Sequence, residues 1–438
     1  MSIASIHAHL DHALAVLPAG ALVVGYSGGA DSSVLLHALA QIPAARARGL
    51  RAVHVDHGLH ADSAAWAEHC RAFAAALDVP LDLCRVEIER DHGGGLENAA
   101  RTARMAAFAR RLRPGEILAL AHHRDDQAET VLLKALRGAG PQGLGGMRTL
   151  RAFAHGLLWR PLLAQPRAAL QTYAHTHGLH WIDDPSNADT RLRRNFLRRE
   201  ILPRLQAHWP DAHVALAHSA QWARGAADFI DAEAHKALAH IRGRDPATLL
   251  WRDWLALPSA LRDPVLRLWL RAHALDEPTH LHVAELERQL RTSADDRQPC
   301  VRFADTELRR YRDHLHALHP LPPLPHDWQA TWDGASPLPL PDGRRIALDP
   351  PQRLDPPLRV CFRRGGERIK PAGTAHTREL RLLLQEAGVP PWQRGRIALI
   401  YRGDDLLAVA ELCVSDAAMP LAGRLRIEAA CVVERYAH

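Results

Sequence analysis

Lysine is almost absent from this 438-residue chain: Lys134, Lys236 and Lys370 stand among 55 basic residues, which leaves 52 arginines. The formal net charge is +6 and the pI near 9.2, which permits a polyanionic partner such as RNA. The arginine skew beside abundant alanine also fits a biased genome composition, so charge alone does not establish that partner. The six cysteines (Cys70, Cys84, Cys300, Cys361, Cys413, Cys431) form no close pairs. That argues against a disulfide scaffold or a zinc ribbon and fits a reducing cytosol. No apolar run is long enough to cross a bilayer. The first 17 residues carry no basic n-region and read as an amphipathic helix, not a signal peptide. No Gly-Lys-Ser/Thr follows the glycine-rich turn, which removes Walker chemistry, and no H-E-x-x-H helix is present. Apolar content of 47% and charge of 24% are ordinary for a globular protein, and the length suits two or three domains.

The organising stretch is Ala21 to Ala40. Ala21–Tyr26 reads as a buried strand, Ser27-Gly28-Gly29 breaks it, and Val34, Leu35, Ala38 and Leu39 recur at helical spacing. A helix mouth beside paired glycines suits a phosphate, because backbone N–H groups and the helix dipole face an unobstructed approach. The hexamer Ser27-Gly28-Gly29-Ala30-Asp31-Ser32 resembles the pyrophosphate loop (PP-loop) of ATP-pyrophosphatases. Further strands are expected at 50–55, 79–86 and 117–121, alternating with helices near 62–78, 95–113 and 125–136. Repeated βα units imply a doubly wound parallel sheet, with ligands beyond the carboxyl ends of the strands. The loops after strands one, two and four should therefore converge. They carry Asp31; His54, Asp56, His57 and His60; and His122 to Thr130. A zinc hydrolase could be assembled from such residues, but 29 histidines make chance clusters expected. Asp31 and Asp126 are better placed to hold magnesium beside ATP phosphates. The bland reading of Asp126–Glu129 is a helix cap with an acid three positions later.

Several motifs resemble the bacterial tRNA(Ile)-lysidine synthases. They are His54-Val55-Asp56-His57-Gly58-Leu59, Glu97-x-x-Ala100-Arg101-x-x-Arg104, and the Ala121–Thr130 stretch AHHRDDQAET. Downstream come Arg137–Met147, Arg160–Leu163, Trp181–Asn187, Arg194-Asn195-x-x-Arg198, Arg363–Glu367 and Val389–Arg394. They run in family order over nearly the whole chain, with Met105 departing from the usual aromatic. The resemblance implies ATP-dependent adenylation of the wobble cytidine of tRNA(Ile) with a CAU anticodon. Free L-lysine then displaces AMP, giving lysidine and switching AUG to AUA decoding. It implies nucleotide contacts at Ser27, Gly28, Gly29, Ala30, Asp31, Ser32, His54 and Val55. It also implies phosphate stabilisation by Arg101, magnesium at Asp31 and Asp126, and lysine ammonium contacts at Asp126 and Glu129. Which carboxylate takes the final proton stays open. The rival readings are a tRNA thiolase, which usually needs paired cysteines, an amidotransferase, and an inactive RNA-binding protein.

The expected organisation is a PP-loop α/β domain over 1–208, then a helical domain over 209–320 with Trp222, Trp251, Trp254 and Trp269 as core anchors. A Pro-rich linker over 321–345 and a basic α+β domain over 346–438 for tRNA docking follow. Gly138 to Gly146 reads as a mobile loop. Thr190–Glu200 reads as a basic helix facing RNA phosphates.

Overall fold

Side chains alternate between the two faces along Leu22–Gly25 (β1), and both faces of the first sheet are buried: Leu22 and Val24 enter one apolar cluster, Val23 the other. The computed structural model describes residues 4–58, 62–86, 96–294, 297–325 and 327–428. His60, the glycines from Gly93 to Gly95, the Glu97 side chain and Cys431 lie outside the described residues. In chain order, α1 (Ala4–Ala15) precedes β1, and α2 (Ala30–Ala40), α3 (Pro43–Ala47), β2 (Arg51–Asp56), α4 (Ser63–Ala76) and β3 (Leu81–Arg85) follow it. The same layer continues through α5 (Leu96–Arg111), β4 (Ile117–Ala119), α6 (Arg124–Ala135), α7 (Pro141–Leu144), β5 (Leu150–Phe153), β6 (Gly156–Trp159) and α8 (Arg167–Thr176). The sheet order is β3-β2-β1-β4-β6-β5, parallel except for the β5–β6 pair. Helices α1, α2 and α8 pack on one face through Ile6, Leu10, Leu35 and Leu170, and α5 covers the other through Ala107 and Phe108. Order reverses between β1 and β4, so the expected α/β fold places the loops after these two strands at the switch point.

Among α1, α2 and α8 sits a polar knot. His37 Nδ1 and His7 Nε2 each lie 2.9 Å from the Tyr173 hydroxyl, with the His177 ring 4.9 Å from His37. Burial, reinforced by repulsion from His177 and His7, pushes His37 down to about 4. The unfolded chain protonates near 6.5 and the folded one only near 4, so acid favours unfolding across that interval. Thermal midpoints should fall between about pH 6.5 and about 4, and His37→Asn should flatten the fall. An unchanged slope in that variant would assign the acid sensitivity elsewhere.

Gly138 to Gly146 is not a free loop. It contains the single-turn helix α7, and Gln127 clamps its end, donating to Met147 O (3.0 Å) and accepting from Met147 N (2.8 Å). Arg224 donates to Gly145 O and Met147 O, both at 2.7 Å. These remote side chains supply the hydrogen bonds that the glycine run cannot.

After α9 (Arg193–Phe196) and α10 (Leu202–His208), the helix α11 (Ala212–Ile241) carries the division between two compact units, at Glu233/Ala234. Beyond it come β7 (Thr248–Leu250), α12 (Trp251–Ala256), α13 (Ser259–Ala272), α14 (His280–Thr292), β8 (Cys300–Phe303), β9 (Thr306–Tyr311) and β10 (His314–Leu318). The segment expected as helical thus includes a four-stranded antiparallel sheet, β7-β10-β9-β8. Trp251, Trp254 and Trp269 are buried there, each indole N–H donating to a backbone carbonyl. Trp222 is not a core residue; it is 82% exposed on α11.

The Pro-rich linker is also shorter than expected. From Gln329 onward the chain forms β11 (Gln329–Trp332), β12 (Leu338–Pro339) and β13 (Arg345–Leu348), with Trp332 and Leu340 in an apolar cluster. Prolines alternating with leucines read as a spacer, yet leucines at that spacing also supply a strand's buried face. The rest comprises β14 (Leu358–Phe362), β15 (Arg368–Ile369), β16 (Arg378–Glu379), α15 (Leu380–Glu386), α16 (Pro391–Arg394), β17 (Ala398–Arg402), β18 (Asp405–Val409), β19 (Cys413–Val414) and β20 (Leu425–Glu428). Its main sheet runs β11-β14-β17-β18-β19.

Candidate active site

The loop after β1 is held from beneath. Gly28 has φ +86°, and a Cβ there would stand 2.4 Å from Ile182 Cδ1 and 2.9 Å from Cys70 Sγ. Its carbonyl accepts from Ile182 N at 2.9 Å. Gly29 differs: φ is −76°, and a Cβ would meet only Ser27 Oγ, at 3.6 Å. Ser32 Oγ donates to Gly29 O (2.9 Å) and lies 3.0 Å from Ser27 Oγ, which closes the turn. No side chain caps the α2 N-terminus, so its first N–H groups face the opening. A direct prediction follows from the two glycines. Gly29→Ala should fold normally, even gaining up to about 1 kcal/mol from reduced chain entropy, yet lose affinity for ATP where the methyl meets phosphate. Gly28→Ala should destabilise the protein. Melting curves with nucleotide titrations check both, and unchanged ATP use by Gly29→Ala would remove the anion from this loop.

The second wall is the start of α6. His123 is its N-cap: Nδ1 accepts from Asp126 N (3.4 Å), while Asp126 Oδ2 accepts from His123 N (3.0 Å). Asp126 is therefore the third helical residue and not the cap. His123 is 1% exposed, and its Nε2 stands 3.5 Å from Asp31 Oδ2 and 3.4 Å from Asp126 Oδ2 without a well-formed hydrogen bond to either. Burial opposes its charge, but Asp31, Asp126 and Asp125 prevail and raise its pKa. Two carboxylates from the mouths of two helices thus converge on one imidazole.

Glu129 departs from the expectation of an ammonium contact. It is 1% exposed, and both oxygens are taken: Arg194 Nε donates at 3.0 Å, Arg198 Nε at 2.6 Å and Arg198 Nη2 at 3.1 Å. Arg198 also donates to Asp126 Oδ1 at 2.9 Å. The segment expected as an RNA-facing helix is helical from Arg193 onward, α9 passing through a π turn over Leu197–Ile201, but two of its arginines turn inward. Asn195, buried, donates to Ser186 O and Asp189 O and so ties the Trp181–Asn187 stretch to the same segment.

Between these walls lies a cavity of about 790 Å³, within the range of small-molecule sites. Ser27, Gly29, Asp31, Ser32, His54, Val55, Arg101 and Asp126 line it; Gly28, Ala30 and Glu129 sit behind the lining. His54 is buried, donates from Nδ1 to Tyr26 O (3.0 Å), and is held below its ordinary pKa by burial. Three lining arginines beyond Arg101 were not singled out from sequence as site residues: Arg104, Arg151 and Arg160. Burial and the neighbouring guanidiniums depress Arg104, and Arg160 falls to about 10 for the same reasons. Crowded guanidiniums in a partly desolvated cleft favour a bound anion. Among the described residues no group of three or more His, Cys, Asp or Glu side chains is disposed as a metal cage. A hard cation at Asp31 and Asp126 would draw further ligands from phosphate and water, as magnesium does.

The basic last domain, expected to dock tRNA, carries eight arginines from Arg359 to Arg396. Seven of those eight have partners, among them Arg363 with Glu367, Arg378 with Glu386 and Arg396 with Pro322 O. The others are Arg359 with Gly403 O, Arg364 with Asp327, Arg381 with Glu379 and Arg394 with Val389 O. Arg368 has none among the described residues.

Comparisons with known proteins fit this geometry. Residues 3–205 match the PP-loop domain family, 251–316 the TilS substrate binding domain and 358–428 the TilS substrate C-terminal domain. A tRNA(Ile)-lysidine synthase of Xanthomonas axonopodis pv. citri is 49% identical over 423 residues, 92% of each chain. That of Xanthomonas campestris pv. campestris is 48% identical over 401 residues, 91% of this chain and 92% of its own. That of Pseudomonas aeruginosa is 43% identical over 415 residues, 90% of each. With such identity along nearly its whole length, and a PP-loop cavity where the family's motifs converge, the chain belongs to the tRNA(Ile)-lysidine synthase family of ATP-using, tRNA-modifying ligases.

Proposed function

We propose that this protein ligates free L-lysine onto the wobble cytidine of tRNA(Ile) with a CAU anticodon, in the cytosol, converting AUG to AUA decoding. The observation that carries the reading is the convergence of Asp31 and Asp126 at the uncapped mouth of α2, facing a wall of guanidiniums. The cytidine 2-carbonyl oxygen attacks the α-phosphorus of ATP and pyrophosphate leaves. The lysine ε-amine then bonds to C2 as the C2–O bond breaks and AMP departs.

Backbone N–H groups from Ser27 to Ser32 receive the pyrophosphate, with His54 and Val55 beside the nucleotide. Arg101 steadies charge developing on the transferring phosphate, and Arg104 and Arg160 extend the same field. Magnesium fits the donor set, two carboxylates whose oxygens meet beside the orphaned His123 Nε2; Asp31 and Asp126 would hold it, and it would neutralise phosphate charge. Glu129 acts through Arg198, which it shares with Asp126; Asp126 lines the cavity and Glu129 does not, which supports Asp126 as the member of the expected pair that meets the lysine ammonium. A thiolase reading lacks support: the cysteines are widely spaced in the chain, and among the described residues no group of three or more His, Cys, Asp or Glu side chains is assembled.

ATP–pyrophosphate exchange and AMP release, with and without tRNA and lysine, test the assignment. Exchange that needs tRNA, and product that needs lysine, are expected. AMP release indifferent to both would overturn it.

A further inference from the structure

The stretch Val389–Arg394 carries family resemblance, and while Val389 packs on an apolar cluster, Trp392 and Arg394 belong neither to the active-site lining nor to an apolar core. Pro391 opens the single turn α16, and Trp392 projects from it. The residues that receive it lie on one face of a hairpin. Period two sends Leu308, Arg310, Leu315 and Ala317 of β9 and β10 inward, leaving Arg309, Tyr311, His314 and His316 on the opposite face. Register pairs Tyr311 with His314 and Arg309 with His316.

Trp392 meets this face edge-on. Its ring centroid lies 5.2 Å from that of His316 and 6.2 Å from that of Tyr311, both at 79°, and the Arg309 guanidinium stands 5.4 Å away. Arg394 donates from Nη2 to the Tyr311 hydroxyl (3.1 Å), while its Nε holds Val389 O (2.8 Å). Arg312, at the hairpin turn, donates to Gln385 O near the end of α15. The hairpin is itself fixed, since buried Trp251 donates from Nε1 to Arg312 O (2.8 Å) and from N to Asp313 O (3.2 Å). Half-buried aromatic and guanidinium groups, with hardly an aliphatic among them, compose a contact that can form and part as a unit.

We propose that Trp392 and Arg394 are positioning residues that seat the body following the Pro320–Pro325 connection on the β9–β10 hairpin, and that this seating sets where bound tRNA is held. The tRNA clause rests on the proposed function; the seating does not.

The test uses full-length protein carrying Trp392→Ala, Trp392→Phe or Arg394→Gln. Thermolysin cleavage beside Leu321 and Leu324 reports whether the body has left its seat. Steady-state kinetics report KM for tRNA and for ATP. Trp392→Ala should speed cleavage and raise the tRNA KM by about tenfold each, the worth of one aromatic pair and one cation–π contact together. The ATP KM should not move, Arg394→Gln should show a smaller change in the same direction, and Trp392→Phe should restore most of both. Unchanged cleavage in Trp392→Ala and Arg394→Gln would overturn the seating. Faster cleavage with an unchanged tRNA KM would overturn its link to tRNA. If the parent protein itself makes no use of tRNA, the functional reading fails while cleavage still judges the seat.

Discussion

Asp31→Ala should abolish AMP formation, by a factor on the order of 10² to 10³ or more, in a protein that still folds. The side chain is one-third exposed, and its near neighbour in the site is His123 Nε2 at 3.5 Å, so no core contact is lost. What disappears is one of two carboxylates facing the mouth of α2 and, with it, half of the protein's share of the proposed magnesium site. His123 also loses one of the three acids that keep its pKa raised. Asp126 remains, still tied to His123 N and Arg198. Melting curves should superimpose on the parent while the AMP assay falls to background. Parent-rate AMP release from a pure sample would refute the loop assignment.

Glu129→Gln should damage the protein more broadly. Both Glu129 oxygens are engaged by Arg194 and Arg198, whose side chains are only 22% and 26% exposed. Removing the negative charge leaves two guanidiniums together in a partly desolvated wall with Asp126 alone to balance them. Breaking a fully buried ion pair costs roughly 3–5 kcal/mol; the arginines' partial exposure places this case toward or below the lower end. Arg198 also orients Asp126, so adenylation and lysine transfer should decline together. Urea unfolding gives the stability change, and the partial reactions give the two chemical steps. A fully stable variant with only a raised lysine requirement would instead make Glu129 a direct ammonium contact.

The local features were legible in the sequence for a simple reason. A strand, a Gly-Gly break and an uncapped helix are written in consecutive residues, so Asp31 and the loop around it follow from short-range pattern. The alternation of βα units gave the parallel sheet, and the switch-point rule then brought His54, Asp126 and the loop to one crevice. Three short strands of the last domain, Leu358–Phe362, Ala398–Arg402 and Asp405–Val409, are legible for the same reason, because each is a largely apolar run between turn residues.

Tertiary structure alone decided the sign of several charges' surroundings. Arg194 and Arg198 look like solvent-facing or RNA-facing groups in a run of arginines, but their partner Glu129 is 65 and 69 residues away. Only folding brings a buried carboxylate beside them, and no local periodicity encodes that distance. The same holds for Arg310, 3% exposed within β9, which is accepted inside because Ala294 O and Arg297 O receive its guanidinium. Such arginines and histidines hid the β8–β10 sheet by masking its period-two pattern. Gln127 and Arg224 likewise turned a glycine run into a fixed turn. In each case the sequence states which groups need partners, and the long-range packing of the chain decides which partners they receive.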